Sequence, residues 1–384
     1  MDQHYDVIVV GGRCAGAATA MHVARAGLRV LVVEATRPGT DTLSTHALMR
    51  GAVLQLHRWG LLEQVVAAGT PAITATDFSY GEDSQTVEIR PDGGVEALYA
   101  PRRTLLDSLL LDEARRAGAE VRSPARVTRV LTEGSRVGGV EGVDRGTGVR
   151  FRALAPLTIG ADGRGSTVAR AVDAPLRRTG THAGAIVYGY FPGLPADRYH
   201  WIYRPGRTAG VVPTNDGLAC VWAGAPSDRF TGRRGSDLEA AYLEMLTEAH
   251  PGVARSIAGT PRVGPLRAFP GQPGWIRASA GAGWALVGDA GYFKDPITAH
   301  GITDALRDAE LLARAVISAP RSVDALRDYE RTRDRLSAPL FDLTDRIAGY
   351  RWDLPELREM LRELSEAMRP EVAVLKSIDQ TPAA

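Results

Sequence analysis

Tyr5-Asp6-Val7-Ile8-Val9-Val10-Gly11-Gly12-Arg13-Cys14-Ala15-Gly16 is an apolar strand that runs into a glycine-rich turn. A helix of small residues follows, with Ala17, Ala18, Ala20 and Ala24. A second apolar stretch, Arg29 to Val33, ends in Glu34 and Ala35. Strand, turn, helix and strand, with an acid about 20 positions past the first glycine, is the pattern of a dinucleotide site. The free N–H groups at the helix start suit a pyrophosphate. Glu34 is placed to accept from a ribose hydroxyl. The middle glycine of the usual G-x-G-x-x-G is Arg13 here. Its side chain must aim away from the closest backbone approach, and the phosphates are one target for such a donor. Cys14 at the helix start is either a thiol of lowered pKa or a small residue fitted against the sheet.

Two later stretches repeat the theme. Leu157-Thr158-Ile159-Gly160-Ala161-Asp162-Gly163 is again a strand entering a glycine-rich turn, with a helix beyond. Trp284 to Leu306 reads as strand, turn, loop and long helix, and contains Gly288-Asp289, Lys294-Asp295-Pro296 and His300-Gly301-Ile302. Its apolar period is helical: Ile302, Ala305, Leu306, Ala309, Leu312, Ala313, Val316. Three such turns spread along the chain predict one site assembled from distant segments.

The elements between them must position that site. A helical stretch is expected from Met49 to Trp59, and an amphipathic helix from Arg102 to Ala117, closed by Gly118. Strands are expected around 120–122, 127–131, 138–143 and 149–153, with irregular strands and turns over 71–97. Residues 179–274 alternate as strands (Gly184–Phe191, Tyr199–Arg204, Gly210–Pro213, Leu218–Ala223) and predict an antiparallel sheet with one helix near Asp237–Glu248. Tyr199, Trp201 and Tyr203 fall on one face of a strand, Tyr188 and Tyr190 on one face of another, and Trp222 on a third. They form either the wall of a pocket for a planar, apolar molecule or plain sheet core.

Composition narrows the class. The chain has 384 residues, 44% hydrophobic and 24% charged, with 46 Lys+Arg against 45 Asp+Glu. That balance gives no electrostatic case for nucleic acid or an anionic membrane. No apolar run approaches the ~20 residues of a membrane span, so no stable membrane association is expected. Entry into the first strand at once leaves no room for a signal peptide. Cys14 and Cys220 make no metal or C-x-x-C pattern, and no metal site is expected. A reduced, cytoplasmic setting follows. Lys294 and Lys376 are the only lysines. No Ser-His-Asp set, H-E-x-x-H or carboxylate pair stands out.

Taken together, the fingerprint, the Asp162-Gly163 turn and the Gly288-Asp289 turn resemble the FAD-dependent monooxygenases of the aromatic hydroxylase type. That family is related to flavin halogenases and geranylgeranyl reductases. The resemblance covers roughly residues 5–320 and rests on the order of the three turns. It implies an α/β fold, with a Rossmann-like FAD-binding domain of the glutathione-reductase type over 1–70, 98–178 and 275–336. An antiparallel substrate sheet (71–97 and 179–274) would be inserted in it, and C-terminal helices (337–384) would follow.

The resemblance further implies cofactor contacts at Gly11, Gly12, Arg13, Cys14, Ala15, Gly16, Glu34 and Ala35. Arg103, or its neighbour Arg102, would sit against the cofactor. Asp162 and Gly163 would serve flavin and nicotinamide, and Gly288 and Asp289 the ribityl–phosphate region. Pro296 would pack by the isoalloxazine ring, and Gly301 and Ile302 would begin the helix facing its N1–C2=O edge. A helix N-terminus supplies positive potential where reduced flavin is negative.

Three side chains are candidates for catalysis. His300 is either a donor at the flavin or a solvent-facing loop residue. His46, in Thr42-Leu43-Ser44-Thr45-His46, either approaches the flavin or belongs to a helix cap formed by Ser44 or Thr45. Lys294 is either functional or an ion pair with Asp295. Tyr188, Tyr190, Trp201, Tyr203 and Trp222 are the candidate substrate wall.

The implied reaction is hydride transfer from NADPH or NADH to FAD, oxygen addition at flavin C4a to form a hydroperoxide, and transfer of one oxygen atom to a small aromatic or polyketide-like product of secondary metabolism. The partners are then that substrate and O2, with a separate flavin reductase as a further route for electrons. The halogenase Trp-x-Trp-x-Ile-Pro motif is absent, which disfavours chlorination. No second G-x-G-x-x-G provides a separate nicotinamide domain. A geranylgeranyl-type reductase and a non-catalytic flavin-binding protein are the alternatives.

Overall fold

A computed structural model describes residues 2–195, 197–230 and 236–378. The buried apolar strands 7–10 and 30–33 alternate with a helix, and such runs pair in parallel because the connecting helix must return the chain to the same sheet end. They lie in a six-stranded sheet whose order is 280–281, 284–286, 157–160, 7–10, 30–33, 120–122. All pairs are parallel except that of 280–281 with 284–286. The chain therefore leaves the adjacent strands 284–286, 157–160, 7–10 and 30–33 at one edge. Strand 7–10 is the switch point from which successive connections go to opposite sides, where ligands bind in open α/β sheets.

Helix Cys14–Arg25 packs on this sheet with Ala17, Ala18, Ala20 and Met21 wholly buried. Small side chains let it lie close, and helices Arg103–Arg116 and Gly301–Ser318 flank it on the same layer. Gly11 has φ +101°, and a Cβ there would stand 2.4 Å from the Ala161 carbonyl oxygen. A Cβ at Gly16 would lie 1.9 Å from the Gly11 oxygen. Backbone passes backbone at both points.

Strands 75–80 and 83–88 are a regular hairpin where irregular strands and turns were expected. They join strands 184–192, 198–204, 207–213, 218–226 and 263–269 in one seven-stranded sheet. That sheet is mostly antiparallel, but 75–80 runs parallel to 198–204. One face packs on the domain built on the six-stranded sheet, and helices Ser236–Ala249 and Pro251–Ile257 cover the other. Burial on both faces explains the near-continuous apolar runs of strands 184–192 and 218–226. A four-stranded sheet (3–4, 150–154, 136–144, 125–133) borders the first domain.

Helix Val323–Ala348 runs straight across the boundary expected at residue 336. The helices that follow it, Leu354–Ala367 and Arg369–Ile378, are therefore continuous with the first domain. Residues 379–384 of the expected C-terminal unit lie outside the described residues. Among these residues no helix is long and apolar enough to cross a membrane.

Gly16→Ala is expected to lower unfolding free energy by roughly 1–3 kcal/mol, since overpacking here meets main chain that cannot yield. Urea denaturation checks this as a lower midpoint at unchanged slope; an unchanged midpoint would mean that turn and helix separate without cost.

Candidate active site

A cleft of about 580 Å³ opens where the four strand ends converge. Gly11, Arg13, Cys14, Ala15, Glu34, Ala35, Arg103, Asp162, Gly163, Asp289, Pro296, Gly301 and Ile302 line it, with His46, Lys294 and Tyr188. Gly12, Gly16, Gly288 and Arg102 do not. Gly12 donates its N–H to Glu34 Oε2 at 2.7 Å, and Glu34 Oε1 accepts from the Thr36 amide and hydroxyl at 2.7 and 2.5 Å. Arg102 pairs with Asp41 at 3.1 Å and lies over the Tyr190 ring at 3.8 Å, which leaves Arg103 as the arginine facing the cleft.

Asp162 accepts from the Ser166 hydroxyl at 2.5 Å and the Thr167 amide at 2.6 Å, so it braces the start of the helix at Thr167, which Ser166 caps. Asp289 has no hydrogen-bond partner among the described residues. Its carboxyl is pushed up to about 6, chiefly by burial, with Arg164 and Arg103 pulling it down. A desolvated acceptor beside an open space is what a ligand hydroxyl would satisfy. Gly163 and Gly301 each leave room for a missing Cβ. Gly11 and Gly12 spend their amides on Val33 and Glu34, so the N–H groups of Arg13 and Cys14 complete a donor and acceptor set that fits FAD.

Helix Gly301–Ser318 starts at the cleft after Ala299, a non-glycine residue at φ +50°. Such a left-handed turn costs of order 1–3 kcal/mol and must be held from outside. Asp295 holds it: the carboxylate accepts from the amides of Gly184 at 2.7 Å and Ile297 at 2.9 Å. Burial pushes the Asp295 carboxyl up to about 7. Asp295 is thus occupied, and Lys294 pairs instead with Asp304, which also lines the cleft.

His300 corrects both readings made of it. It is 1% exposed, not solvent-facing, and it does not line the cleft. Its Nε2 lies 3.1 Å from Glu371, which enters from the last helix. Arg307 bonds the same carboxylate at 2.7 Å and Asp308 at 2.7 Å. Burial alone would raise the Glu371 carboxyl, but His300, Arg307 and Lys294 hold it below the ordinary range. Ligand atoms of His300, Asp304 and Glu371 lie within 4.8 Å of one another. Lys294 and Arg307 already neutralise these carboxylates, so the cluster is an ion-pair network.

His46 lines the cleft at φ +69° and Nε2 lies 2.5 Å from the Tyr190 hydroxyl. Burial, then Arg102, Arg103 and Arg267, depress its pKa well below the usual value, which keeps the ring neutral. Neither Ser44 nor Thr45 caps a helix: the next begins at Arg50, after Met49. Ser44 instead accepts from the His46 amide at 3.0 Å.

Among the expected substrate residues only Tyr188 reaches the cleft, and its hydroxyl accepts from the Ser44 amide at 3.0 Å. Tyr190, Trp201, Tyr203 and Trp222 are buried core. Tyr188, Trp222, Gly210 and Trp201 form one cross-strand row. The Trp222 indole lies on Gly210, where a Cβ would stand 2.4 Å from its Nε1, and its ring meets Trp201 at 5.9 Å. The cleft wall is made by Ile186, Tyr188, Phe269, Tyr292 and Phe293. Of these, Ile186, Phe269, Tyr292 and Phe293 were not foreseen. Phe269 lies beyond the strands read from the sequence, and Tyr292 and Phe293 in the third turn were the findable ones. Cys14 donates its thiol to Asp107 at 3.0 Å, and burial raises its pKa, opposite to the reactive reading.

Residues 4–344 match the family described as "FAD binding domain". Digeranylgeranylglycerophospholipid reductase 1 of Methanococcoides burtonii is 27% identical over 352 residues, covering 86% of this chain and 80% of its own. The flavin-dependent brominase Bmp2 superposes with TM-score 0.79 at 20% identity over 98% of both chains. PqsL of Pseudomonas aeruginosa, described as a probable FAD-dependent monooxygenase, superposes with TM-score 0.75 at 21% identity over 94% of this chain and all of its own.

Two outcomes follow from the charges. Asp289 binds its proton more tightly folded than unfolded, so its contribution to stability falls as pH rises from ~4 through 6. Asp289→Asn is expected to raise the melting temperature of the ligand-free protein above pH 7 and to lose that advantage below about pH 4, as read by thermal denaturation. Glu371→Gln strips His300 and Arg307 of a buried partner and is expected to cost about 3–5 kcal/mol in urea. That deficit shrinks on acidification, as wild-type Glu371 takes up its own proton.

Proposed function

The chain belongs to the FAD-binding domain family and is an FAD-dependent oxidoreductase; from that premise we propose that it is an NAD(P)H-dependent monooxygenase acting on a small aromatic or polyketide-like molecule. Bound FAD would supply hydride acceptance and oxygen activation. Around it the chain's own residues bind and orient. The amides of Arg13 and Cys14 and the Arg103 guanidinium would take the diphosphate. Asp289 would accept from a hydroxyl of the ribityl–ribose chain, which relieves the desolvation that raises its pKa. Pro296 would lie against the ring, and the amides of Gly301 and Ile302 would point the positive end of their helix at its most electron-rich edge.

Lys294, in the cleft wall, adds a cation balanced by Asp304. His46 would present a neutral ring fixed by Tyr190. Neither histidine is assigned a proton transfer to substrate, since His300 is turned away and the depressed pKa of His46 makes it a poor base.

The observation that carries the reading of a small planar substrate is the wall itself. Ile186, Tyr188, Phe269 and Phe293 line the cleft, while Trp201 and Trp222 pack on each other and Tyr203 packs on Tyr80 and Trp352. The second reading, a geranylgeranyl-type reductase, is favoured by the archaeal relative, which spans most of this chain. A prenyl chain would need that packed row to part.

An anaerobic visible spectrum before and after NADPH, and then NADH, checks the cofactor reading: flavin bands are expected, and they bleach. Aerobic turnover with a panel of phenols under ¹⁸O₂ separates the two activities. Label in the product supports the monooxygenase. Saturation of a prenyl double bond with no label overturns it in favour of the reductase.

A further inference from the structure

Arg13 stands where the fingerprint usually has glycine, and the reading above gives it no task. Its guanidinium does not lie free over the cleft. Nη1 donates to Asp107 Oδ2 at 2.9 Å and to the Thr40 carbonyl at 3.3 Å, and Nη2 lies 3.5 Å from Thr36 Oγ1. One side chain thus joins three segments: the glycine-rich turn, helix Arg103–Arg116, and the loop after Glu34.

Asp107 is the other half of the device. It is buried and does not face the cleft. It takes both prongs of Arg103 at 2.9 to 3.1 Å, Arg13 at 2.9 Å and the Cys14 thiol at 3.0 Å. Two guanidinium groups share one carboxylate, so one positive charge is left over. Arg13, Cys14, Arg103, Glu34 and Thr36 line the same cleft. A diphosphate on the turn would meet that surplus charge and would be flanked by a bridge closed on the loop side. A hydrogen bond to a charged group of this kind is worth about 1.5–3 kcal/mol, enough to slow release roughly ten- to a hundredfold.

We propose that Arg13, held by Asp107, is a strap that ties the glycine-rich turn to the loop after Glu34 at the adenosine-diphosphate end of the cleft and so slows release of FAD. Asp107 is a positioning residue that acts through Arg13 and Arg103. The proposal rests on the reading of the cleft as an FAD site.

The test uses the FAD-loaded full chain. Release of FAD after rapid dilution is followed as rising flavin fluorescence. Arg13→Gly restores the usual fingerprint residue, and glycine at this helix start costs only a few tenths of a kcal/mol. If Arg13 were a tolerated departure, Arg13→Gly would bind FAD as well or better. The strap predicts the opposite: release at least about tenfold faster, or 1.4 kcal/mol. Asp107→Asn is expected to do the same, with Asp107→Glu and Arg13→Lys falling between variant and wild type.

Wild-type release should quicken with salt, and Arg13→Gly should lose part of that dependence, which a merely structural role would not alter. Melting curves of the ligand-free variants report folding. Should Arg13→Gly fail to fold, Arg13→Lys and the salt dependence of wild type decide. Release from Arg13→Gly no faster than from wild type, or a wild-type rate indifferent to salt, overturns the proposal alone. A wild-type protein that takes up no FAD overturns the cleft reading and the proposal with it.

Discussion

The cleft exists because two pieces of main chain can nearly touch. Gly11 lies against the carbonyl of Ala161, and Gly16 against the carbonyl of Gly11, at distances no side chain would allow. This contact brings the first helix down onto the end of its strand and sets the turn from the first strand beside the turn from strand 157–160. The third turn is fixed to both in the same way, since Gly288 at φ +60° faces Ala15, with 2.9 Å between its would-be Cβ and that methyl group. Three loops far apart in sequence therefore share one site through steric necessity. Hydrogen bonds alone would not impose it, because loop amides can satisfy themselves with water.

Charge does the remaining positioning, on two sides of the cleft. On one, Asp107 gathers Arg13, Arg103 and Cys14. On the other, Asp304, Asp308 and Glu371 offset Lys294, Arg307 and His300 beneath the helix that starts at Gly301. Buried groups of this kind seldom add net stability over apolar packing, but breaking one pair is expensive. Their effect is thus to specify a single arrangement. Glu371 makes the last helix part of that arrangement, which is why the C-terminal segment cannot be treated as a separate unit.

The sequence was most legible where backbone geometry needed a residue type. Glycine turns, the acid after the second strand and the small-residue helix each have one physical reading, and the family and the sheet follow from them. Side-chain direction was less legible. His300 and Lys294 were visible as chemically able residues, but their partners Glu371 and Asp304 lie 71 and 10 positions away. No local periodicity couples His300 to a helix so far along the chain. The aromatic strand residues failed for a different reason. Alternation shows that Trp201 and Trp222 share a face with Tyr188, and it is silent on what covers that face. Gly210 decides it: a residue without a side chain lets the Trp222 ring lie flat across the strand and close the row. The same indole on a larger neighbour would have stood up into the cleft.

That packing also constrains chemistry. The Trp222 indole is laid on glycine on one side and braced by the Trp201 indole, which in turn is paired with Phe78 of strand 75–80. The sheet therefore presents its ligand with a fixed short wall of Ile186, Tyr188 and Phe269. A rigid wall discriminates by shape and excludes water from the ring at little cost in ordering. The tyrosines share this economy. By spending their hydroxyls on Ser44 and His46, Tyr188 and Tyr190 tie the loop after Glu34 to the seven-stranded sheet. The two domains are thus joined across the mouth of the cleft by the loop that Arg13 also grips at its other end. Movement of that loop must then be felt at both the glycine-rich turn and the seven-stranded sheet.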